Sequence, residues 1–434
     1  MALRHIGNYS SPLFIDIPQG CDLYQASNNT SLTSSVTSIP NCQTNLSLHQ
    51  IQGISFLLNI ENNMEKICEN LWKHPDNLWI KKVFSNAVEN GLIPQDIVCK
   101  SRGGILADDM GLGKLLTTLC LIKKTQNEEL KFSEISKDHV PATLIIVPLS
   151  TLHNWENEIR LHFHDGSLPY SIFHGSNRNF ISFQNLKQNA IIITTYDVIA
   201  GYNVYDVHGM RINPLLVNWF RIVLDKAHCI KEQSTHREFT ILNLKSERTL
   251  CLTGIPLQNN LWDLHSPLRF LQVEPWNLKP LWENCMIKQI SSWNKMAIQS
   301  LQLIMQTLTL RRLKANLPDL PNKVQHGVGI EIYEPWKPLY FKKHEEFSAL
   351  YGKLRSKAVQ WDSSEFFSRL SDLRQLCNNP ALIEREEGGR RCTWKEGPKV
   401  VHLLSHLKEF FQKEPGLRYP QEAVFSEYKR FLDM

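Results

Sequence analysis

Four short apolar runs recur along the middle of the chain, and each is followed by a segment with helical spacing. They occupy residues 143–148, 190–194, 220–225 and 249–253. Continuous apolar runs of this length, unlike alternating ones, are typical of β-strands buried on both faces. Strands that alternate with helices predict a parallel sheet flanked by helices, with its ligand crevice at the carboxyl ends of the strands. The predicted fold class is therefore α/β.

The N-terminal part of the chain has a different pattern. Residues 25–44 consist mostly of Ser, Thr and Asn, and they offer too little apolar surface to offset the entropy lost on ordering. At Leu48, Ile51, Ile54 and Leu57 the spacing becomes helical. We therefore predict a disordered leader over residues 1–45 and folded structure from residue 46.

Beyond residue 275 the β-type runs fade and helical spacing prevails, notably over residues 295–313 and 341–378. A last apolar run, residues 423–426, follows another helical pattern. This order predicts a sheet domain over residues 46–275 and a mainly helical region over 276–395. The incomplete start of a second lobe is predicted over residues 396–434.

Composition adds few constraints. Of 434 residues 42% are apolar, and the formal net charge of +5 is compatible with a nucleic-acid partner without requiring one. None of the ten cysteines forms a C-x-x-C pair, so we expect reduced thiols and no zinc site. We expect a soluble protein without a membrane partner, because no apolar run reaches the roughly 20 residues that cross a bilayer.

A glycine-rich segment, Gly103-Gly-Ile-Leu-Ala-Asp-Asp-Met-Gly-Leu-Gly-Lys114, joins an apolar strand to an apolar helix. Its inward-pointing N–H groups, the helix dipole and the Lys114 ammonium suit such a turn to phosphate. The generic phosphate-loop motif is incomplete, because Asp108 replaces its first glycine and Leu115 replaces the Ser or Thr that ligates Mg²⁺. Taken alone, the segment fits an ordinary glycine turn before a core helix equally well.

A second candidate lies at the end of a buried run. Residues 221–225 end in Asp225, the expected position of a carboxylate that holds the water shell of Mg²⁺ beside phosphates. A glutamate that polarises the attacking water is expected next, but the chain has Lys226-Ala-His228. A cation therefore replaces the general base.

Together with other segments, these motifs resemble the Swi/Snf-related branch of superfamily-two helicase-like ATPases, near the helicase-like transcription factors. The resemblance covers most of residues 46–434. Its motifs are Leu48-His-Gln50, Ala107-Asp-Asp-Met-Gly-Leu-Gly-Lys114, Val147-Pro-Leu-Ser150 with Trp155, Ile193-Thr-Thr-Tyr196, Asp225-Lys-Ala-His228, Leu252-Thr-Gly-Ile-Pro-Leu-Gln258, Leu310-Arg-Arg-Leu-Lys314, Leu373-Arg-Gln-Leu-Cys-Asn-Asn-Pro380 and Val424-Phe-Ser426. Their order and spacing, more than any single motif, indicate the family.

The resemblance implies a RecA-like lobe that uses ATP and Mg²⁺ and associates with double-stranded DNA or chromatin in the nucleus, within a protein complex. The implied nucleotide-binding residues are Asp108, Asp109, Met110, Gly111, Leu112, Gly113, Lys114, Leu115 and Gln50. Gln50 has the position that contacts the base, within the base-reading segment Leu48-His-Gln50. The implied catalytic positions are Asp225, Lys226 and His228, and Asp225 also holds Mg²⁺ through water. The implied coupling and DNA-tracking residues are Thr195, Thr253, Gly254, Pro256 and Gln258.

The departures from the family pattern predict impaired hydrolysis. Loss of a general base lowers the rate roughly 10²- to 10⁴-fold, and Leu115 removes an oxygen ligand of the metal. The resemblance also implies that a second lobe, expected beyond Met434, supplies arginines that complete the site. Two alternatives stay open: an active DNA-stimulated ATPase with compensating residues, and a nucleotide-independent module that binds DNA or protein.

Overall fold

The computed structural model describes a large part of the chain, in several segments. These are residues 38–73, 85, 88–89, 102–180, 182–202, 213, 216–230, 235–254, 260–317, 324–334, 336–356, 362–383, 386–387, 390–391, 393–413 and 424–429. The chain divides into two compact units, Met1–Leu320 and Pro321–Met434. Within the described segments, no helix is both long and apolar enough to cross a membrane.

Seven parallel strands form the sheet of the first unit, in the spatial order β3-β4-β2-β5-β6-β1-β7. Their bounds are β1 Gly103–Leu106, β2 His139–Val147, β3 Tyr170–Phe173, β4 Ile191–Thr195, β5 Asn218–Asp225, β6 Lys245–Leu252 and β7 Thr309–Leu310. The predicted α/β fold with a parallel sheet is therefore confirmed.

Helices connect these strands and cover the sheet. They are α1 Leu48–Lys73, α2 Lys114–Ile135, α3 Leu152–His162, α4 Phe183–Gln188, α5 Tyr196–Ala200, α6 His236–Leu242, α7 Trp262–Phe270, α8 Lys279–Leu281, α9 Lys288–Ser291 and α10 Lys295–Leu308. A π-helical turn, Trp282–Ile287, joins α8 to α9.

Alternate residues of the central strands enter two separate hydrophobic cores. On β5, Ile222 and Leu224 join the core that contains Leu301 and Ile304 of α10. Val223, between them, joins the core that α1, α2 and α3 form on the other face. Side chains of a strand alternate between the two faces of the sheet, so burial on both faces favours the continuous apolar run Ile222-Val-Leu224 of β5.

Two strands were not predicted from the sequence. β3 is a four-residue edge strand in which only Phe173 is fully buried, so it lacks a continuous apolar run. β7 has two residues, Thr309 and Leu310, which we expected to continue a helix over residues 295–313. Helix α10 ends at Leu308 instead, because the next two residues pair with β1 at the sheet edge.

The first compact unit extends to Leu320 and therefore differs from the predicted domain boundary at residue 275. Leu281, Met286 and Leu301 are buried in the same core as Ile222 of the sheet. The pairing of β7 with β1 adds a backbone connection to that packing. The helical segment after residue 275 thus completes one face of the sheet domain.

Residues 38–45 belong to the predicted disordered leader but are ordered in the structure. The remainder of that predicted leader, residues 1–37, lies outside the described segments. Ile39 is buried in the core below α2 and α3. Cys42 forms an antiparallel bridge with Phe163, and the Gln43 N–H donates to the His162 carbonyl at 2.8 Å. Burial of a few apolar side chains and backbone pairing are sufficient to order this short polar segment.

The second unit is mainly helical in its described residues, as predicted. Its elements are α11 Trp336–Arg355, α12 Ser363–Asn378, α13 Pro398–Lys413, β8 Glu386–Glu387 and β9 Arg390–Arg391. The helical pattern over residues 341–378 forms two helices, and the Asp362 carboxylate caps the second by accepting from the N–H groups of Ser364 and Glu365. Residues 424–429 contain no strand, so the strand predicted at residues 423–426 is not formed there.

A buried ion-pair network joins α1 to the sheet. The Arg221 side chain on β5 donates to both Glu61 carboxylate oxygens, at 2.6 and 2.8 Å. Arg248 on β6 donates to the same carboxylate at 2.8 Å, and Arg221 also lies 3.6 Å from Glu129 of α2. Arg221 is fully buried and Glu61 is 3% exposed. Glu61 therefore pairs with two strand arginines that have little access to water, and Arg248 has a second partner in Glu128.

We expect Glu61→Gln to destabilise the protein by about 3–5 kcal/mol, because loss of one partner leaves buried charge uncompensated. The free energy of unfolding, measured by urea titration, tests this. Glu283→Gln is the matched control, since Glu283 pairs with Lys288 on the surface at 3.4 Å, where a pair contributes about 0–1 kcal/mol. Similar losses in the two variants would contradict a central role for Glu61.

The pH dependence of stability tests the same network at Glu129. Burial raises the pKa of this carboxyl from 4.5 to about 8, against the opposing charge of Arg221. The folded state therefore favours protonated Glu129, a contribution that is fully present below pH 4.5 and is lost as pH rises through about 8. Between pH 4.5 and about 8, the unmodified chain should lose this contribution and Glu129→Gln should not. The free energy of unfolding of Glu129→Gln should therefore increase relative to that of the unmodified chain, by at most about 1.4 kcal/mol per pH unit. Parallel pH profiles of the two proteins would contradict this.

Candidate functional site

The glycine-rich loop lies at the carboxyl end of β1 and leads into α2, which begins at Lys114. Gly111 and Gly113 adopt φ angles of 84° and 74°, in the left-handed region that favours glycine. A Cβ atom at Gly113 would lie 2.3 Å from Nε2 of Gln50. The backbone conformation therefore favours glycine at position 113, and a Cβ atom there would displace the end of the Gln50 side chain.

The start of α1 packs against this loop. The Gln50 Oε1 atom accepts from the Ser47 N–H at 3.0 Å, and its Nε2 atom faces Gly113. The His49 ring Nε2 lies 3.1 Å from the Leu112 carbonyl oxygen. The structure therefore brings the predicted base-reading residue, Gln50, next to the predicted phosphate loop, although they are far apart in sequence.

The Lys114 ammonium lies inside the loop. Its Nζ atom donates to the carbonyl oxygens of Asp108 at 2.5 Å and Asp109 at 3.0 Å. Burial lowers the pKa of Lys114, and the charge of Lys226 lowers it further, whereas Asp108, Asp225 and Asp109 raise it. Lys226 and Asp225 are thus near enough to act electrostatically on Lys114, as expected for segments that share one edge of the sheet.

Two aromatic residues hold Asp225 at the end of β5, one through its carboxylate and one through its backbone carbonyl. The Trp155 Nε1–H donates to its Oδ2 atom at 3.1 Å, and the Tyr196 hydroxyl donates to the Asp225 carbonyl at 2.7 Å. Trp155 is fully buried and Tyr196 is 3% exposed. Both buried side chains thus fix Asp225, a role that no short-range sequence pattern indicates.

Lys226 follows Asp225 in a left-handed conformation, with φ 54°. Its carbonyl oxygen accepts from the Cys229 N–H at 2.8 Å, which closes the turn before the 3₁₀ helix Ala227–Ile230. Left-handed backbone costs a non-glycine residue roughly 1–2 kcal/mol. The turn redirects the chain immediately after Asp225 and leaves the Lys226 side chain partly exposed. His228 lies in the 3₁₀ helix, and its catalytic role stays a prediction.

Leu115, in the first turn of α2, is half-buried and packs against the hydrophobic core. The next two hydroxyl side chains in the helix donate to backbone carbonyls: Thr117 to Gly113 at 3.1 Å and Thr118 to Lys114 at 2.8 Å. In this structure both hydroxyl groups are therefore engaged in hydrogen bonds to backbone carbonyl oxygens. Among positions 115, 225 and 226, only Asp225 offers a carboxylate oxygen to a metal ion.

The predicted coupling residues are only partly described. The Thr253 N–H donates to the Leu106 carbonyl at 3.1 Å, and a Cβ atom at Gly254 would lie 3.2 Å from Cγ of the exposed loop residue Met110. Thr253 and Gly254 therefore adjoin the loop, whereas Pro256 and Gln258 lie outside the described residues.

Thr195 lies at the start of α5, and its DNA-tracking role stays a prediction. It is 1% exposed, and its hydroxyl oxygen accepts from the Val198 N–H at 3.3 Å. Thr195 is therefore the N-cap of α5.

Residues 310–314 hold the two loop aspartates, and the sequence alone indicates no function for this segment. The Asp108 carboxylate pairs with Arg312, and the Asp109 carboxylate accepts from the Lys314 N–H at 3.0 Å. The only sequence signal was the motif Leu310-Arg-Arg-Leu-Lys314 itself. Its proximity to the loop depends on β7 pairing with β1.

A parallel sheet with a glycine-rich loop, a buried aspartate and a coupling segment at one edge defines a helicase-like ATPase lobe fold. The model of the SNF2-related domain matches residues 49–382, and the chain therefore belongs to the SNF2-related family. This finding confirms the family resemblance identified from the motifs.

Relatives of the chain are named as chromatin regulators and DNA repair proteins. The chain is 27% identical over 380 residues to "Putative SWI/SNF-related matrix-associated actin-dependent regulator of chromatin subfamily A member 3-like 1" of Arabidopsis thaliana, covering 78% of this chain and 42% of the relative. It is 28% identical over 353 residues to "DNA repair protein RAD5B" of the same plant, covering 75% of this chain and 27% of the relative. The chain thus spans less than half the length of these relatives.

Solved structures show limited similarity. The Sulfolobus solfataricus SWI2/SNF2 ATPase core in complex with dsDNA is 25% identical, with a TM-score of 0.46, and the match covers 86% of this chain and 66% of that one. The core domain of the same organism is 24% identical, with a TM-score of 0.47, and the match covers 90% and 67%.

The close fit of Gln50 to Gly113 can be tested by substitution. Gly166 has a similar φ of 75°, but a Cβ atom there would meet nothing within 4 Å. We expect Gly166→Ala to cost about 1 kcal/mol from backbone strain alone, and Gly113→Ala to cost up to about 1 kcal/mol more, because the end of the Gln50 side chain must move. Urea titration measures both free energies of unfolding. Combining Gln50→Ala with Gly113→Ala should remove the steric part, and equal losses at the two glycines would contradict the contact.

Proposed function

We propose that this chain is the ATP-binding lobe of a Swi/Snf-type DNA-dependent ATPase, acting in chromatin remodelling or DNA repair, and that it binds nucleotide with little or no hydrolysis. The observation that carries this proposal is the cation after Asp225. Lys226 occupies the position of the family's glutamate, and its charge acts on Lys114 of the phosphate loop. A site with this charge pattern favours phosphate binding over activation of water.

Nucleotide binding is supported by the arrangement of the loop. Gly111 and Gly113 have the conformations of a phosphate cradle, and Lys114 lies within it at the start of a 22-residue helix. The Lys114 ammonium currently bonds to two loop carbonyls, and phosphate oxygens would offer it charged partners in their place. The position of Gln50 next to Gly113 supports a contact between Gln50 and the base.

Impaired hydrolysis follows from two side chains. Lys226 cannot accept a proton from water while it is charged, so the general-base contribution, roughly 10²- to 10⁴-fold, is lost. Leu115 contributes only apolar atoms at a position where the family supplies a metal-binding hydroxyl. The two substitutions affect the same step of the reaction and leave Lys114 and Gln50 in place.

The residues at this edge do not fit a Mg²⁺ site of the usual family composition. Asp225 supplies a carboxylate, but its Oδ2 atom accepts from Trp155, Leu115 has no ligand atom and Lys226 adds a positive charge. A cation beside the phosphates reduces the need for a metal ion to neutralise them. The proposed mode of binding is therefore ATP with Mg²⁺ dispensable or weakly held.

Double-stranded DNA, or chromatin, is the proposed macromolecular partner, and the nucleus is the proposed location. The support is the SNF2-related family match together with relatives named as DNA repair proteins and a regulator of chromatin. The net charge of +5 agrees with a polyanionic partner. A protein complex containing this chain is proposed on the same family grounds.

Nucleotide titrations with and without Mg²⁺ test the role of Lys226. We expect the unmodified chain to bind a fluorescent ATP analogue with a Kd that changes less than about threefold when EDTA replaces Mg²⁺, because Lys226 supplies local positive charge. Lys226→Glu should bind at least about tenfold more weakly in EDTA, whereas the charge-conserving Lys226→Arg should behave like the unmodified chain. Absence of binding to Mg²⁺-free ATP would overturn this mode of binding.

ATP turnover with and without double-stranded DNA tests the proposed defect. We expect no DNA-stimulated turnover in the unmodified chain. The double variant Leu115→Thr plus Lys226→Glu should gain about 10²-fold over the residual rate, because it restores a metal-binding hydroxyl and a general base.

DNA-stimulated turnover in the unmodified chain would instead establish an active ATPase. Salt-sensitive retention of DNA, with no nucleotide binding, would establish a nucleotide-independent interaction module.

A further inference from the structure

The five residues 310–314, which we call the strap, run from β7 along the phosphate loop. Leu310 pairs with Leu106 at the end of β1, and its carbonyl oxygen accepts from the Ala107 N–H at 2.7 Å. The Asp109 N–H then donates to the Arg312 carbonyl at 3.0 Å. The strap therefore continues the sheet pairing beyond β1 into the loop, although more than 200 residues separate the two segments in sequence.

Arg312 makes the strongest contacts of the strap. Its Nε atom and its backbone N–H each donate to Oδ1 of Asp108 at 3.0 Å, and its Nη2 atom donates to Oδ2. Asp108 is 1% exposed and Arg312 is 9% exposed. A buried carboxylate is costly unless it is paired and hydrogen-bonded. Asp108 can therefore remain inside the loop only while Arg312 is in this position.

The same guanidinium reaches the base-reading segment. Its Nη1 atom donates to the His49 carbonyl oxygen, next to Gln50. Its Nη2 atom also passes Gly53 of α1, where a Cβ atom would lie only 3.2 Å away. A glycine inside a helix costs about 1 kcal/mol relative to alanine, and Arg312 together with Thr117 Cγ2, at the same distance of 3.2 Å, leaves little room for a side chain at this position. One side chain thus links the start of α1 to the phosphate loop.

Two other residues of the strap, Arg311 and Lys314, contact the rest of the site. The Arg311 Nη1 atom donates to the Gly254 carbonyl of the coupling motif at 3.1 Å. The Lys314 N–H donates to the Asp109 carboxylate at 3.0 Å, and its ammonium lies beside Gly111, 3.0 Å from where a Cβ atom would be. The strap therefore contacts the loop, the base-reading segment and the coupling motif through consecutive residues.

We propose that Arg312 is a positioning residue of the nucleotide site, which acts through Asp108 to hold the phosphate loop in register with the base-reading segment. This inference rests on the proposed function for its nucleotide readout. The Asp108 carbonyl oxygen accepts from the Lys114 ammonium, so movement of Asp108 also moves a partner of the phosphate-binding cation. Arginine is required because its planar fork reaches both Asp108 oxygens and the His49 carbonyl at once, which a lysine cannot do.

Two measurements on Arg312→Gln test the proposal. Without nucleotide, we expect the amides of residues 108–114 to exchange hydrogen at least about tenfold faster, since loss of a charged hydrogen-bond partner releases the loop. The Kd for a fluorescent ATP analogue should rise by about tenfold. Arg312→Lys should give an intermediate change in both. The double variant Asp108→Asn plus Arg312→Gln should be no weaker in binding than Arg312→Gln, because the two residues act as one unit.

Arg248→Gln is the matched control. Arg248 is also a buried, ion-paired arginine, but its partners are Glu61 and Glu128 and it lies near the amino end of β6, away from the loop. We expect it to lower stability while loop exchange and Kd stay within about twofold of the unmodified chain. Unchanged loop exchange in folded Arg312→Gln, or equal effects in Arg248→Gln, would overturn the positioning role. Faster loop exchange with an unchanged Kd would overturn it as well.

The two proposals fail in different ways. If the unmodified chain binds no ATP analogue, the proposed nucleotide function fails. Hydrogen exchange in the nucleotide-free protein then still decides whether Arg312 orders residues 108–114. If the unmodified chain binds nucleotide and Arg312→Gln does so equally well, the proposed function stands and the positioning role fails.

Discussion

Parallel pairing of the strands is the constraint on which the rest of the structure depends. In a parallel sheet every strand presents its carboxyl end at the same edge. The order β4-β2-β5-β6-β1-β7 places the ends of β5, β6, β1 and β7 side by side. Asp225, Thr253, the glycine-rich loop and the strap each follow one of these ends. Residues far apart in sequence therefore meet at one edge because backbone hydrogen bonds hold the strands in register.

Charge at that edge is distributed unevenly. Lys114 lies among the carboxylates of Asp108, Asp109 and Asp225, while Lys226 adds a second positive charge that opposes protonation of Lys114. Asp108 is already neutralised by Arg312, so it differs from Asp225, whose carboxylate is held by a neutral indole N–H. Lys114 and Lys226 therefore bring two positive charges to this edge, beside the Asp225 carboxylate. This balance agrees with binding of an anionic ligand and disfavours removal of a proton from water.

Much of the site could be read from local patterns. Glycines before a helix with a following lysine identify the phosphate loop, and an aspartate at the end of an apolar run identifies Asp225. The partners of these residues could not be read in this way. Trp155 reaches Asp225 from 70 residues away and Arg312 reaches Asp108 from 204 residues away. Neither contact has a periodicity or a spacing, because each depends on which strands become neighbours in the sheet.

The sequence by itself determined the α/β class, the positions of the longer strands, the family and the two substitutions, Leu115 and Lys226, that depart from its pattern. These follow from short-range order: runs, periods and motifs of a few residues. Only the tertiary structure decided that residues 276–317 complete the sheet domain, that Thr195 is a buried helix cap and that the strap secures the phosphate loop. Such features depend on burial and on pairing between distant segments, and burial is decided only when the whole sheet has assembled.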